Sequence, residues 1–172
     1  MAKNIVLIGF MGTGKSSVGS KVAEKLKMKF VDMDREIEKV TGLPVAHIFR
    51  IHGEIRFRSE ERLMAQKLGQ RDNLVIATGG GTVLKKENIE ALRENGLLIC
   101  LDANPREIFD RVSRKRGTRP LLKKNFTVED IEEMLKVREE YYSLADYRIN
   151  TSNKGLYAVV EEIIKIARQQ GS

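Results

Sequence analysis

Residues 5–18 of this 172-residue chain read IVLIGFMGTGKSSV, and this stretch is the strongest indication of the fold. The apolar, largely β-branched run at 5–8 predicts a buried strand. The segment 9–16 follows in the pattern G-x-x-x-x-G-K-S, and apolar residues then recur at helical spacing over 15–27, which predicts an amphipathic helix. A strand, a glycine-rich turn and a helix in this order are typical of a loop that binds phosphate groups.

Each residue type in this loop suits phosphate binding. Glycines let backbone N–H groups curl around phosphate oxygens, and the helix that follows presents its positive end to the anion. We predict that Lys15 reaches the β- and γ-phosphates of a nucleoside triphosphate and that the Ser16 hydroxyl binds Mg²⁺. The nucleotide-binding residues predicted in this segment are Gly12, Thr13, Gly14, Lys15, Ser16 and Ser17.

Strand and helix patterns alternate along the rest of the chain, which implies a parallel sheet covered by helices on both faces. Two segments interrupt this alternation. Residues 34–61 form a long helical insertion between the second and third predicted strands, and residues 113–126 are basic with little periodicity. The second segment is either a solvated surface loop or a mobile lid. The remaining strands are predicted at 30–32, 74–77, 97–101 and 148–149, and the remaining helices at 54–68, 86–95, from Pro105, 127–144 and 156–167. Asn104 before Pro105, and Thr127 three residues before Asp130, are typical of the caps that begin two of these helices.

Composition excludes several classes of protein. With 41% hydrophobic residues the chain can build a core, and its one cysteine, Cys100, excludes an internal disulfide. No apolar run is long enough for a membrane helix, and no signal peptide is recognised, so we expect a cytoplasmic protein. The chain has 31 Lys and Arg residues and 24 Asp and Glu residues, so its net charge is +7. This charge favours nucleic acid, an acidic membrane or small anions as partners.

A strand-end aspartate often supplies the second anchor for a nucleotide-bound Mg²⁺, and two positions could do so. Asp102 ends the apolar run at 97–101, whereas Asp32 ends a shorter run and is followed by Asp34. If the second strand extends through Asp34, alternation points both of its carboxylates to one side at the carboxyl edge of the sheet, where ligands bind. The pattern by itself does not choose between the two positions.

The ordered set of motifs resembles the shikimate kinase family over nearly the whole chain. The motifs are GFMGTGKS at 9–16, DMD at 32–34, FRSEE at 57–61, GGG at 79–81, RPLL at 119–122 and REEYY at 138–142. The resemblance implies a three-layer α/β P-loop fold of the nucleoside-monophosphate-kinase type, with a five-stranded parallel sheet of order 2-3-1-4-5. It also implies one kinase domain over 1–172, with a substrate-binding insertion at about 34–61 and a lid at about 113–126.

The same resemblance implies the reaction, in which the γ-phosphoryl group of ATP passes to the 3-hydroxyl of shikimate with the help of Mg²⁺, in aromatic amino-acid biosynthesis. It assigns the metal to Ser16 and Asp32 and the substrate hydroxyl to Asp34, which leaves Asp102 as a strand-end residue. It assigns Arg119 to the lid as the arginine that reaches the phosphates. Arg111, or else Arg114, would stack on adenine, beside a loop near residues 151–155.

The acceptor carries a carboxylate, and a guanidinium binds that group through two parallel hydrogen bonds, which lysine cannot do. Arg58 and Arg138 fit this role, and Glu61, one helical turn after Arg58, is placed to hold it. Gly79, Gly80 and Gly81 cost backbone entropy, so we predict a close approach of the backbone to a ligand there. The resemblance places shikimate against their N–H groups.

Two other functions compete with this interpretation. One is a related small-metabolite kinase, of the gluconate or nucleoside-monophosphate type, because many acceptors carry a carboxylate. The other is a P-loop protein that binds nucleic acid, which the net charge of +7 motivates. No recognised nucleic-acid-reading motif is present, so we expect shikimate as the partner, no nucleic acid, no membrane and a monomer.

Overall fold

The computed structural model describes residues 3–114 and 125–170, and it begins with the predicted strand, loop and helix. Strand β1 spans Asn4–Ile8 and helix α1 spans Lys15–Leu26. Between them Gly12 and Gly14 have φ angles of 83° and 92°, in the left-handed region that other residues rarely adopt. These two angles turn the chain from the strand into the helix, which explains why glycine stands at both positions.

The insertion before the third strand is helical, as predicted. Strand β2 is followed by helix α2, a short helix α3, a π-helical turn and the long helix α4. Their bounds are Lys29–Asp32 for β2, Met33–Thr41 for α2, Val45–His47 for α3, Ile48–His52 for the π-helical turn and Gly53–Gly69 for α4.

The second strand ends at Asp32, as predicted, so the condition under which alternation would place Asp34 beside Asp32 on one strand is not met. Strand β2 ends at Asp32, and Asp34 lies in the first turn of α2. The Asp32 carboxylate accepts a hydrogen bond from the backbone N–H of Arg35 at 3.3 Å and so caps the helix. Acidic residues in the first turn also interact favourably with the helix dipole, so the sequence starts a helix where alternation would continue a strand.

Shorter connections join the remaining elements, and the two predicted helix starts at Asn104 and Thr127 are confirmed as caps. Residues 115–124, which form most of the predicted lid, lie outside the described part of the chain. The remaining bounds are Leu74–Ala77 for β3, a 3₁₀ turn at Thr82–Leu84, Lys86–Arg93 for α5, Gly96–Asp102 for β4, Pro105–Ser113 for α6, Val128–Tyr142 for α7, Tyr147–Asn150 for β5 and Leu156–Gln170 for α8.

All five strands form one parallel sheet in the order β2-β3-β1-β4-β5, as the resemblance implied. Strand β1 lies at the centre, where Val6 is in register with Ile76 of β3 and Leu98 of β4. The carboxyl ends of β1, β2 and β3 therefore meet at one edge. This arrangement brings the glycine-rich loop, the Asp32 turn and the triple glycine together.

Helices cover both faces of the sheet, and β1 shows how its residues divide between them. Ile5 and Leu7 pack with α1 and α8 on one face, whereas Val6 and Ile8 pack with α2, α4, α5, α6 and α7 on the other. Cys100 is fully buried within β4, as expected for a core residue. Among the helices that the structure describes, none is long and apolar enough to span a membrane.

Candidate active site

A cavity of about 610 Å³ opens at the carboxyl edge of the sheet, beside the glycine-rich loop. This volume lies within the range of sites that hold a small ligand or cofactor. It is lined by most of the predicted site residues, which come from four separate segments of the chain. Those residues are Gly12, Thr13, Gly14, Lys15, Ser16, Ser17, Asp32, Asp34, Gly79, Gly80, Arg111 and Arg114.

Lys15 and Ser16 begin helix α1 at the floor of this cavity. The Lys15 ammonium is largely buried and donates hydrogen bonds to the carbonyl oxygens of Gly9 at 2.7 Å and Phe10 at 3.0 Å. The Ser16 hydroxyl donates to the Asp32 carboxylate at 2.7 Å. A cation, a hydroxyl and a carboxylate thus lie together at the positive end of a helix, where phosphate groups bind well.

Asp34 is a buried carboxylate next to this group. Its Oδ1 atom is buried and has no hydrogen-bond partner within the described part of the chain. Burial, with smaller contributions from the nearby carboxylates of Asp32 and Glu61, raises the pKa of Asp34 from 3.8 to about 6, while Lys15 opposes the shift. Asp34 is therefore ionised at neutral pH but is a stronger base than an exposed aspartate.

Arg58 on α4 is held in place from two sides. Its Nη1 donates to Glu61 at 2.7 Å, and its Nε donates to Glu54 at 3.3 Å. Glu61 is only 1% exposed and also accepts a hydrogen bond from the Thr82 hydroxyl at 2.8 Å. The Nη2 of Arg58 is buried and has no partner among the described residues, so this fixed guanidinium retains a hydrogen-bond donor. The predicted role of Glu61 in holding Arg58 is confirmed.

Arg138 on α7 reaches the same region from the opposite side. It is 4% exposed, and its Nη1 donates to the carbonyl oxygen of Gly80 at 2.8 Å. Its guanidinium carbon lies 5.0 Å from the centre of the Phe10 ring, a distance at which a cation and an aromatic face attract each other. The side chain therefore joins the glycine-rich loop to the triple glycine.

The triple glycine leaves room for these side chains. A Cβ atom at Gly79 would lie 2.7 Å from Oδ1 of Asp34, and one at Gly81 would lie 2.5 Å from Nη2 of Arg58. At Gly80 the nearest atom would be 3.5 Å away, an ordinary contact with Met11. Two of the three glycines are thus explained by the close approach of the protein's own side chains, in addition to the predicted approach of a ligand.

Three of the predicted residues stand beside the cavity rather than in its wall. Arg58, Gly81 and Arg138 form a cluster around Gly80, which itself lines the cavity. Arg119, predicted in the lid, lies outside the described residues.

Arg111 does line the cavity and donates to the carbonyl oxygen of Gly12 at 2.9 Å. Arg114 lines it too, so the geometry leaves both arginines available to a base.

Several lining residues were not predicted from the sequence. Lys154, a charged residue of the segment proposed to lie near adenine, could have been found by its position after β5. Met11 lies inside the loop motif at 9–16, and Thr151 lies with Lys154 in the segment at 151–155. The other lining residues carry no motif that would have revealed them, and they are Val18, Arg35, Thr78, Leu156 and Val159.

Asp102, the other candidate for the metal, is bound elsewhere. Arg148 of β5 donates to both of its carboxylate oxygens, at 2.9 and 3.0 Å. Asp102 does not line the cavity, whereas Asp32 does. Residues 3–114 and 125–170 contain no group of three or more histidine, cysteine, aspartate or glutamate side chains arranged to hold a metal ion.

Comparison with known proteins gives a consistent result. The shikimate kinase family model matches residues 11–168. A curated shikimate kinase from Pelotomaculum thermopropionicum is 52% identical over 167 residues, which cover 97% of this chain and 96% of that protein. A solved structure of shikimate kinase from Acinetobacter baumannii in complex with shikimate superposes with a TM-score of 0.92 at 33% identity, over 99% of this chain and 95% of that one.

A gluconokinase from Sinorhizobium meliloti superposes with a TM-score of 0.58 at 19% identity, over 92% of this chain and 87% of that one. This likeness shows a shared fold alone. The evidence for shikimate kinase is much stronger, because the family model matches residues 11–168 and a curated member is 52% identical over 97% of this chain. The chain belongs to the shikimate kinase family.

Proposed function

We propose that this chain transfers the γ-phosphoryl group of ATP to the 3-hydroxyl of shikimate, giving shikimate 3-phosphate and ADP. The observation that carries the proposal is the cluster beside the nucleotide loop, in which the buried Asp34 carboxylate and the guanidinium groups of Arg58 and Arg138 meet at the triple glycine. The two arginines can bind one anionic group of the acceptor, and Asp34 can bind its reacting hydroxyl. Family membership supports the same reaction.

The loop residues 12–17 would bind the phosphates of ATP. Ser16 and Asp32 would hold Mg²⁺, since their hydroxyl and carboxylate oxygens lie 2.7 Å apart and are the hard donors this ion prefers. Mg²⁺ commonly takes few protein ligands and keeps several waters and phosphate oxygens, which suits a pair of this kind. When bound, it would supply charge neutralisation on the transferring phosphoryl group.

The acceptor would lie on Gly80, between the two arginines. Arg58, held by Glu61, and Arg138, held by Gly80 and Phe10, would bind the carboxylate with donors that are already oriented. Their fixed positions reduce the entropy lost on binding, because few rotamers remain to be restricted. Arginines that are oriented in advance would hold the 3-hydroxyl near Asp34.

Asp34 would orient that hydroxyl and accept its proton as the bond to phosphorus forms. A transition state of phosphoryl transfer is loose, so the proton leaves late and positioning matters most. Lys15 would stabilise negative charge on the phosphate oxygens. We further propose that Arg119, which the described structure does not include, adds a second cation there.

A coupled assay of ADP formation tests the proposal against its competitors. Purified protein with Mg·ATP is given shikimate, gluconate or a panel of nucleoside monophosphates, and the rate is compared with that of ATP alone. We expect saturable ADP release with shikimate only. If shikimate does not raise the rate of ADP release, or if gluconate or a nucleotide raises it more, shikimate is not the acceptor.

The pH dependence of catalysis should report the raised pKa of Asp34. With kcat/KM for shikimate measured at saturating Mg·ATP, we expect a plateau above pH 7 and a decline of about tenfold per pH unit below pH 6, because Asp34 must be ionised to accept a proton. Thermal stability measured at each pH controls for unfolding. A decline that begins only near pH 4 would mean that the pKa of the essential base is not raised.

Gly81→Ala should weaken shikimate binding through Arg58. Its Cβ would lie 2.5 Å from Nη2 of Arg58, so the guanidinium must move by about 1 Å, and we expect the KM for shikimate to rise roughly tenfold with the KM for ATP unchanged. The variant with both Arg58→Gln and Gly81→Ala is the control: if Gly81→Ala acts by displacing Arg58, the double variant binds shikimate no worse than Arg58→Gln alone. A further loss of shikimate binding in the double variant would exclude displacement of Arg58 as the cause.

A further inference from the structure

Arg148 on β5 binds two carboxylates from different elements. Its Nε and Nη2 donate to Asp102 at 3.0 and 2.9 Å, and its Nη1 and Nη2 donate to Glu139 at 2.5 and 3.0 Å. The Arg148 side chain is about two-thirds covered, at 34% exposure. Four charge-assisted hydrogen bonds from one planar group fix distance and direction together, which a single ion pair does not.

The two partners belong to different parts of the fold. Asp102 ends β4, the strand next to the central β1, so it moves with the sheet. Glu139 lies on the exposed side of α7, the helix that follows residues 115–124. Hydrogen bonds from Arg148 lower the pKa of the Glu139 carboxyl below its ordinary value. The contact therefore joins α7 to the carboxyl edge of the sheet.

The residue before Glu139 is Arg138, one of the two proposed carboxylate-binding arginines. Arg138 points inward, across the Phe10 ring to the carbonyl oxygen of Gly80, while Glu139 points outward to Arg148. Adjacent residues on a helix are separated by about 100° of rotation, so holding Glu139 also restricts the rotation of the turn that carries Arg138. A small rotation would move the Arg138 guanidinium away from Gly80.

We propose that Arg148 is a positioning residue for acceptor recognition, which by joining Asp102 to Glu139 sets the place of the Arg138 guanidinium. The inference rests on the proposed function, because it concerns the site for the carboxylate of shikimate. An ion pair on a protein surface contributes little to stability. The expected consequence is therefore a change in substrate binding much larger than the change in thermal stability.

Glu139→Gln tests this at the helix end of the contact, with Glu140→Gln as the matched control. Glu140 is the next residue of α7 and is also exposed. Among the described residues its side chain makes no hydrogen bond or ion pair, and only its backbone carbonyl accepts a hydrogen bond, from Ser143. We expect Glu139→Gln to raise the KM for shikimate roughly tenfold, with the KM for ATP and the melting temperature nearly unchanged. Glu140→Gln should match the unmodified chain in all three.

Arg148→Gln should raise the KM for shikimate in the same way. Arg148→Lys should raise this KM less but should not restore the original value, since an ammonium cannot bind both carboxylates as a fork. If Arg148 acts through Glu139, the variant with both Arg148→Gln and Glu139→Gln binds shikimate no worse than Arg148→Gln alone. Equal KM values for the Glu139 and Glu140 variants, or a loss of stability that accounts for the loss of activity, overturn the inference. Absence of shikimate-dependent activity in the unmodified chain would instead overturn the proposed function.

Discussion

Replacing Asp34 with asparagine should lower kcat for shikimate phosphorylation by roughly 10²- to 10⁴-fold, the usual contribution of a positioned proton acceptor. The asparagine side chain has nearly the same shape but cannot accept the hydroxyl proton. We therefore expect the KM for ATP to stay close to that of the unmodified chain, because the loop residues 12–17 are untouched. Initial rates at saturating Mg·ATP and shikimate measure the loss.

Glu36→Gln is the control for this variant, since it makes the same chemical change on the same helix. Glu36 faces Lys39 at 3.3 Å as an ordinary surface pair and does not line the cavity. We expect it to keep full activity. If Asp34→Asn retained more than about a tenth of the original kcat, proton acceptance by Asp34 would contribute little to the reaction.

The same substitution should stabilise the protein. Because the pKa of Asp34 is raised in the folded chain from 3.8 to about 6, its charged form disfavours folding above pH 6 by roughly 3 kcal/mol. Asparagine removes that cost but loses a favourable interaction with the α2 dipole, worth up to about 1 kcal/mol. A net gain of about 2 kcal/mol corresponds to a rise of roughly 4–8 °C in melting temperature for a chain of this size.

The size of this stabilisation depends on pH in a defined way. Below pH 3.8 the carboxyl is protonated in both folded and unfolded chains, so the cost is absent there, and it develops as pH rises toward 6. The difference in melting temperature between Asp34→Asn and the unmodified chain should thus be large at pH 8 and small near pH 4. A difference that does not depend on pH would contradict the raised pKa.

Lys15→Met should lower kcat by roughly 10²- to 10³-fold, as expected when a preorganised donor to a developing negative charge is removed. Methionine preserves the length and the apolar part of the side chain, so the cavity keeps its shape. The ammonium also donates to the carbonyl oxygens of Gly9 and Phe10, so the loop loses two internal hydrogen bonds as well. We therefore expect the KM for ATP to rise together with the fall in kcat.

Lys21→Met separates this effect from the loss of any lysine on α1. Lys21 lies on the same helix, pairs with Glu24 at the surface and does not line the cavity. Its variant should keep both kinetic constants. If Lys15→Met phosphorylated shikimate at a rate close to that of Lys21→Met, the charge of Lys15 would not be needed for phosphoryl transfer.

Much of the fold follows from local pattern. The apolar runs that predict strands, the caps at Asn104 and Thr127 and the loop 9–16 are properties of neighbouring residues, and each is found where it was predicted. The strand order and the implied family needed the whole set of motifs, because pairing between strands is not a local property.

One conditional inference does not apply. Alternation would place Asp32 and Asp34 on one side of a longer strand, but the strand ends at Asp32, as predicted, and Asp32 caps a helix. An aspartate followed by further acidic residues is a signal for the first turn of a helix, and this signal prevails over a strand of only four residues.

The phosphate loop, the alternating α/β order and the candidate residues can be predicted from the sequence, because spacing along the chain controls the chemistry of a single loop or helix. The surroundings of each residue are visible in the folded chain alone. The raised pKa of Asp34 and the lack of space at Gly81 arise from residues distant in the chain. So does the contact from Arg148 through Glu139. Burial and close approach are properties of packing, and no spacing between motifs encodes them.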